Sequence, residues 1–188
     1  MTNINSSNSG LIVLVGLMGA GKTSVGRKVA QRFDLAFTDT DDEIVKAAGC
    51  SIVDIFELYG EQEFREGERR VILRLLEGEP QVIATGGGAF MDPVIRERIE
   101  EKGISVWLRA ELDILVDRTA HLNHRPLLQS GNPRETLQNL MDERYPIYAQ
   151  ANIVVNNGSE SSDFTAKQVV EALNEKNFIP KPTNGTTS

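Results

Sequence analysis

The octet Gly16-Leu17-Met18-Gly19-Ala20-Gly21-Lys22-Thr23 has the residue types and spacing to hold a chain of phosphates. It satisfies G-x-x-x-x-G-K-S/T directly after an apolar run, 11–15, and opens a helix-compatible stretch. Its glycines let backbone N–H groups converge on one anion with no side chain intruding. Lys22 adds a mobile positive charge for the terminal phosphates, and the Thr23 hydroxyl is a hard oxygen suited to magnesium. A chance glycine-rich turn is the plain alternative, but strand, loop, lysine and helix stand here in the order a phosphate loop requires. Gly19, Ala20, Gly21, Lys22, Thr23 and Ser24 are therefore the candidate ATP contacts.

Three further clusters could surround a terminal phosphate. In Thr38-Asp39-Thr40-Asp41-Asp42, two acids stand two apart at the end of a predicted strand, the edge where open α/β sheets bind ligands. Extended backbone would turn the carboxylates of Asp39 and Asp41 to one side, one steering magnesium through water and the other meeting a substrate hydroxyl. The alternative is an acidic helix start capped by Asp41 or Asp42. The third predicted strand ends in Thr85-Gly86-Gly87-Gly88, with no acid for a metal, so the metal's acidic partner must come from elsewhere, which strengthens the case for Asp39. Gly86, Gly87 and Gly88 would let a ligand lie directly against the backbone. Finally Arg65, Arg118, Arg125 and Arg144 carry the planar fork that suits carboxylate and phosphate oxygens. Taken singly, each could equally be a solvated surface arginine.

The elements that must position these groups alternate along the chain. Apolar runs at 11–15, 35–38, 81–85, 104–108 and 152–155 lie between helix-like segments, which predicts an α/β fold with a parallel sheet and helices on both faces. Ser51 with Asp54, and Asp92 ahead of Pro93, mark helix starts, and 61–76 and 163–176 read as further helices. The stretch 120–133 is polar and broken by proline and glycine around Arg125-Pro126-Leu127-Leu128, and reads as a mobile lid rather than an ordinary surface loop. Segments 1–10 and 180–188 read as a disordered N-terminal arm and a flexible C-terminal tail, leaving one domain over 11–179.

With 188 residues, 40% of them hydrophobic, the chain can enclose a sizeable core. A net charge of −7 argues against nucleic acid as a partner, so arginine clusters would serve a small anion. Cys50 is the single cysteine, which excludes an intramolecular disulfide and suits a reducing, cytoplasmic setting. No apolar run approaches membrane-spanning length, and the first ten residues lack the pattern of a targeting peptide.

Together, GLMGAGKT, DTD, GEQEFR, TGGG, RPLL and ERYPIY, in this order between 11 and 155, resemble the shikimate kinase family. The resemblance implies a three-layer P-loop kinase fold with a five-stranded parallel sheet in the order 2-3-1-4-5. It also implies transfer of the ATP γ-phosphoryl group to shikimate, giving ADP and shikimate 3-phosphate in aromatic amino acid biosynthesis. Matched position by position, Lys22 and the loop amides should hold the phosphates, and Thr23 and Asp39, the latter through water, Mg2+. Asp41 should face the substrate hydroxyls as the candidate base. Arg65 and Arg144 should grip the shikimate carboxylate beside Gly86, Gly87 and Gly88. Arg125 should close over the reacting phosphate, and Arg118 should stack near adenine. A monomer acting on ATP and shikimate, with no membrane partner, is the expectation.

The rivals are a kinase of another hydroxy acid such as gluconate, a nucleoside monophosphate kinase, and a nucleotide-binding regulatory module that has lost turnover. The last should have lost Asp41 or a pocket arginine, and none is missing. Phe56 and Phe64 read as core residues that could also wall the substrate. His121, His124, Trp107 and Cys50 are assigned no chemistry. Gly67 interrupts a predicted helix, with close packing the one explanation on offer.

Overall fold

The computed structural model describes residues 10–120, 132–178 and 180. Its centre is β1, Leu11–Val15, in which every residue is buried. Successive side chains of a strand point to opposite faces, so complete burial requires a layer on each side of the sheet. The other strands are β2 Ala36–Asp39, β3 Gln81–Ala84, β4 Gly103–Arg109 and β5 Ile153–Asn156. All pair in parallel in the order β2-β3-β1-β4-β5, with Ile12 opposite Val82 on one side and Ile104 on the other. At the edge, β5 alternates buried and exposed residues, the pattern of a strand with one covered face.

Among the described residues seven α-helices accompany the strands, six between them and the last after β5: α1 Lys22–Phe33, α2 Thr40–Ala48, α3 Ile52–Leu76, α4 Pro93–Lys102, α5 Leu112–Thr119, α6 Pro133–Tyr148 and α7 Ser162–Glu175. Their starts follow local chemistry. Ser51 and Asp54 form a reciprocal capping box at α3, and Asp92 accepts from Val94 N while Pro93 takes the first helical position of α4. The helix expected from Glu61 is the second arm of α3, separated from the first by Gly60, whose backbone (φ 82, ψ 174) leaves the helical region. The expected lid is trimmed at both ends. Ala120 closes α5, Asn132 caps α6 by accepting from Arg134 N, and Pro133 is already helical. The rest of that segment, 121–131, lies outside the described residues, as do the outer parts of the expected arm and tail. Gly10 and Pro180, at their inner margins, are buried.

The chain runs from β1 outward to β2, returns to β3, then crosses to β4 and β5. Because all strands are parallel, the loops after β1, β2, β3, β4 and β5 leave from one edge of the sheet. Open α/β sheets bind ligands at that edge, where the strand order reverses.

Candidate active site

The loop between β1 and α1 holds the octet. Gly21 caps α1 in the left-handed region (φ 82, ψ 17), a conformation that glycine adopts without steric cost. Lys22 is the first residue of α1, and its Nζ donates to Gly16 O at 2.7 Å and Leu17 O at 2.8 Å, curling over the loop. Ala20 is buried, whereas Thr23 and Ser24 are exposed on the first turn of α1. The Thr23 hydroxyl donates to Asp39 Oδ2 at 2.7 Å, so the two expected magnesium residues are already paired.

Asp39 and Asp41 are brought together, but not by extended backbone. Asp39 ends β2 and caps α2, its Oδ1 accepting from Asp41 N at 3.1 Å, while Asp41 lies in the first helical turn. The cap is therefore neither Asp41 nor Asp42, and Asp42 faces solvent. Capping fixes the Asp41 backbone relative to the Thr23–Asp39 pair, which an open strand end would not do.

The glycine turn after β3 closes the site from the other side. Gly86 N donates to Thr40 Oγ1 at 3.0 Å. A methyl group at Gly86 would lie 2.7 Å from Glu68 Oε1 and 3.2 Å from Asp41 Oδ1, so the backbone is pressed between two carboxylates. The corresponding position on Gly87 is 3.5 Å from Met18 N of the phosphate loop and 3.6 Å from Arg144 Nη1. Arg144 Nη1 and the Tyr148 hydroxyl both donate to Gly87 O, the former at 3.0 Å. Arg65, Arg144, Glu68 and Gly88 line one cavity of about 310 Å³, bringing the predicted arginine pair and glycine turn together. Phe64 packs beside this wall, 4.6 Å from Phe56 between ring centroids, with the Arg65 guanidinium 5.1 Å from its ring.

Glu68 is the principal residue that the sequence reading missed. It is 2% exposed, and its Oε2 accepts from Arg65 Nη1 at 2.7 Å. Its signal was present in the sequence as an i,i+3 partner of Arg65 on one helix. Burial pushes the Glu68 carboxyl above its ordinary range, Arg65 opposes this, and the nearby Asp41 adds to it. Burial works against the charge on Arg65, but Glu68 and Glu61 outweigh it and hold the guanidinium above its usual value. Tyr148 is pushed up to about 12 by burial, so it acts as a neutral donor to the glycine turn.

Arg118 lies between the phosphate loop and the segment after β5, donating to Gly19 O at 3.4 Å and to Gly158 O. Arg125, His121 and His124 lie outside the described residues. Trp107 is core in β4, edge-on to Tyr145 at 4.9 Å, and Cys50 is half-buried. Close packing does not explain Gly67, since a methyl group there would meet only Arg70 Nη2, at 4.0 Å. No cluster of three or more His, Cys, Asp or Glu that could hold a metal occurs among the described residues. A hydroxyl and one carboxylate, Thr23 and Asp39, suit magnesium that takes its remaining ligands from phosphate and water.

The family model for shikimate kinase matches residues 18–174. The chain belongs to the shikimate kinase family. A shikimate kinase from Paramagnetospirillum magneticum is 57% identical over 162 residues, 86% of this chain and 83% of that protein. One from Mesorhizobium japonicum is 52% identical, with 86% and 80% covered. Among solved structures, shikimate kinase from Acinetobacter baumannii in complex with shikimate superposes with a TM-score of 0.86 at 36% identity, covering 89% of this chain and 94% of that one. A gluconokinase from Sinorhizobium meliloti shares the fold, with a TM-score of 0.59 at 18% identity. The five-stranded order and the P-loop are thus those of shikimate kinases.

Proposed function

We infer that this chain is a shikimate kinase, transferring the γ-phosphoryl group of ATP to the 3-hydroxyl of shikimate to give shikimate 3-phosphate and ADP. The observation that carries the reading is the meeting of two cradles at Gly87, whose carbonyl accepts from Arg144 of the arginine-lined cavity and where an added methyl group would stand 3.5 Å from Met18 N of the phosphate loop. A phosphate chain on the octet and a carboxylated polyol in the cavity would then lie side by side.

The roles follow from chemistry. Arg65 and Arg144 offer paired N–H groups to the carboxylate, and Glu68 keeps Arg65 extended toward it. Anchored at that end, the polyol presents a hydroxyl to Asp41, which accepts its proton as the oxygen attacks the terminal phosphorus. Lys22 would leave the Gly16 and Leu17 carbonyls for the phosphate oxygens and offset charge on the transferring group. Thr23 and, through water, Asp39 would hold Mg2+, which when bound neutralises phosphate charge and orients the triphosphate. Gly19, Ala20, Gly21 and Ser24 supply backbone donors, Arg118 borders the base, and Arg125 completes the phosphate cage from the expected lid. Catalysis in the cytoplasm by a single chain accords with the reading. No helix among the described residues is long and apolar enough to cross a membrane.

The test is ADP release in a coupled assay with shikimate, quinate and gluconate as acceptors. Shikimate should give the highest kcat/KM, and a preference for either other acceptor would overturn the assignment.

A further inference from the structure

A phosphate loop turns its N–H groups inward only if its carbonyl oxygens face outward, and those oxygens need donors of their own. Here Lys22 Nζ serves Gly16 O and Leu17 O, Arg118 Nη1 serves Gly19 O, and Val25 N serves Gly21 O at 2.9 Å. The Ala20 carbonyl is met from the far side by Asn157 Nδ2 at 2.6 Å.

Asn157 follows β5, is 3% exposed, and is fixed from three directions. Its Nδ2 holds the loop, its Oδ1 accepts from Thr165 Oγ1 of α7 at 2.8 Å, and its backbone N–H donates to Arg109 O at the end of β4 at 2.7 Å. A methyl group on Gly21 would lie 2.8 Å from Asn157 Nδ2, so the amide is seated against the point where α1 begins. The Thr165 hydroxyl donates to Oδ1, which leaves Nδ2 as the atom facing the loop. Lys22 is a different kind of support, because it must release Gly16 and Leu17 to reach a phosphate. Asn157 is neutral and buried behind the loop, so its bond persists when nucleotide enters.

We propose that Asn157 is a positioning residue for nucleotide: by holding the Ala20 carbonyl outward it sets the phosphate-binding shape of the loop before ATP arrives, and Thr165 orients its amide. This rests on the octet being the nucleotide site. Pre-set donors bind an anion without reorganisation, so their loss falls on nucleotide affinity rather than on shikimate.

The experiment uses the full chain and Asn157→Asp, which keeps the size but puts an acceptor against Ala20 O, with Thr165→Val as a second variant. The readouts are Mg–ADP affinity by calorimetry, KM for ATP and for shikimate, and the unfolding midpoint. Asn157→Asp should raise the ADP Kd and the ATP KM about tenfold, the effect of one well-placed hydrogen bond, and leave the shikimate KM within about twofold. Thr165→Val, which leaves the amide in place but unlocked, should raise the ADP Kd about threefold, and it carries the test if the aspartate variant does not fold. A lower unfolding midpoint with unchanged ADP affinity would make the network merely structural and overturn the proposal, as would equal increases in both KM values. Wild type that binds no ADP would instead overturn the nucleotide site itself.

Discussion

Gly88→Ala isolates the arginine cavity from the rest of the site. The Gly88 backbone (φ −96, ψ −16) is open to alanine, so the substitution adds a methyl group without backbone strain. That methyl would overlap Arg65 Nη1 and lie 2.7 Å from its Cζ and 2.8 Å from Nη2, well inside van der Waals contact. The guanidinium must therefore leave its position, and with it the 2.7 Å bond to Glu68 that fixes its direction. Losing one charged hydrogen bond to the substrate carboxylate costs about 1.5–3 kcal/mol, a fall of roughly 10- to 150-fold in kcat/KM for shikimate. The KM for ATP should stay within about twofold, because a guanidinium displaced on α3 leaves the phosphate loop untouched. Steady-state kinetics with each substrate varied in turn, together with Mg–ADP calorimetry, reads both quantities. Unchanged kcat/KM for shikimate would show that Arg65 relaxes freely and does not grip the carboxylate, and parallel losses for ATP would point to a general folding defect.

Gly67→Ala is the matching control: its methyl enters open space on the same helix, so stability should rise by about 0.5–1 kcal/mol in urea unfolding with unaltered kinetics. Destabilisation would mean that the open position is filled by something in solution. Asp41→Asn keeps the shape but not the proton-accepting oxygen, so kcat should fall about 100-fold or more with ADP affinity preserved, and near-normal turnover would remove Asp41 as the base. Glu68→Gln addresses pH. A carboxyl raised in the folded chain above its ordinary 4.5 contributes its full stability below that value and loses it as pH rises through the raised one. Relative to Glu68→Gln, wild type should thus lose stability as pH rises above 4.5 in urea titrations, and a relative gain would contradict a raised carboxyl.

The phosphate loop was legible in the sequence because its function is written in consecutive residues and its flanking strand is apolar throughout. The arginine pair could be named from the family pattern, but only the fold brings Arg65 of α3 within one cavity of Arg144 of α6. Asp39 and Asp41 lie together in a way that their spacing did not suggest. Spacing of two suggested a strand, whereas the Asp39 cap had already turned the chain into α2. Tyr148 and Asn157 escaped notice because buried polar partners are defined by what they meet across the sheet edge, and single-chain periodicity carries no record of that, whereas Glu68 left a trace as the i,i+3 partner of Arg65. Gly67 went the other way: sequence suggested crowding, and the helix has open space beside it.

Helix α6 ends on the glycine turn, where Arg144 and Tyr148 share the Gly87 carbonyl, and begins at Pro133, where segment 121–131 joins it. A helix of 16 residues, about 24 Å long, thus separates the Asn132 cap from the glycine turn. One main-chain oxygen therefore gathers two side chains a helical turn apart, so any substitution that reorients the backbone at Gly87 would displace Arg144 and Tyr148 together.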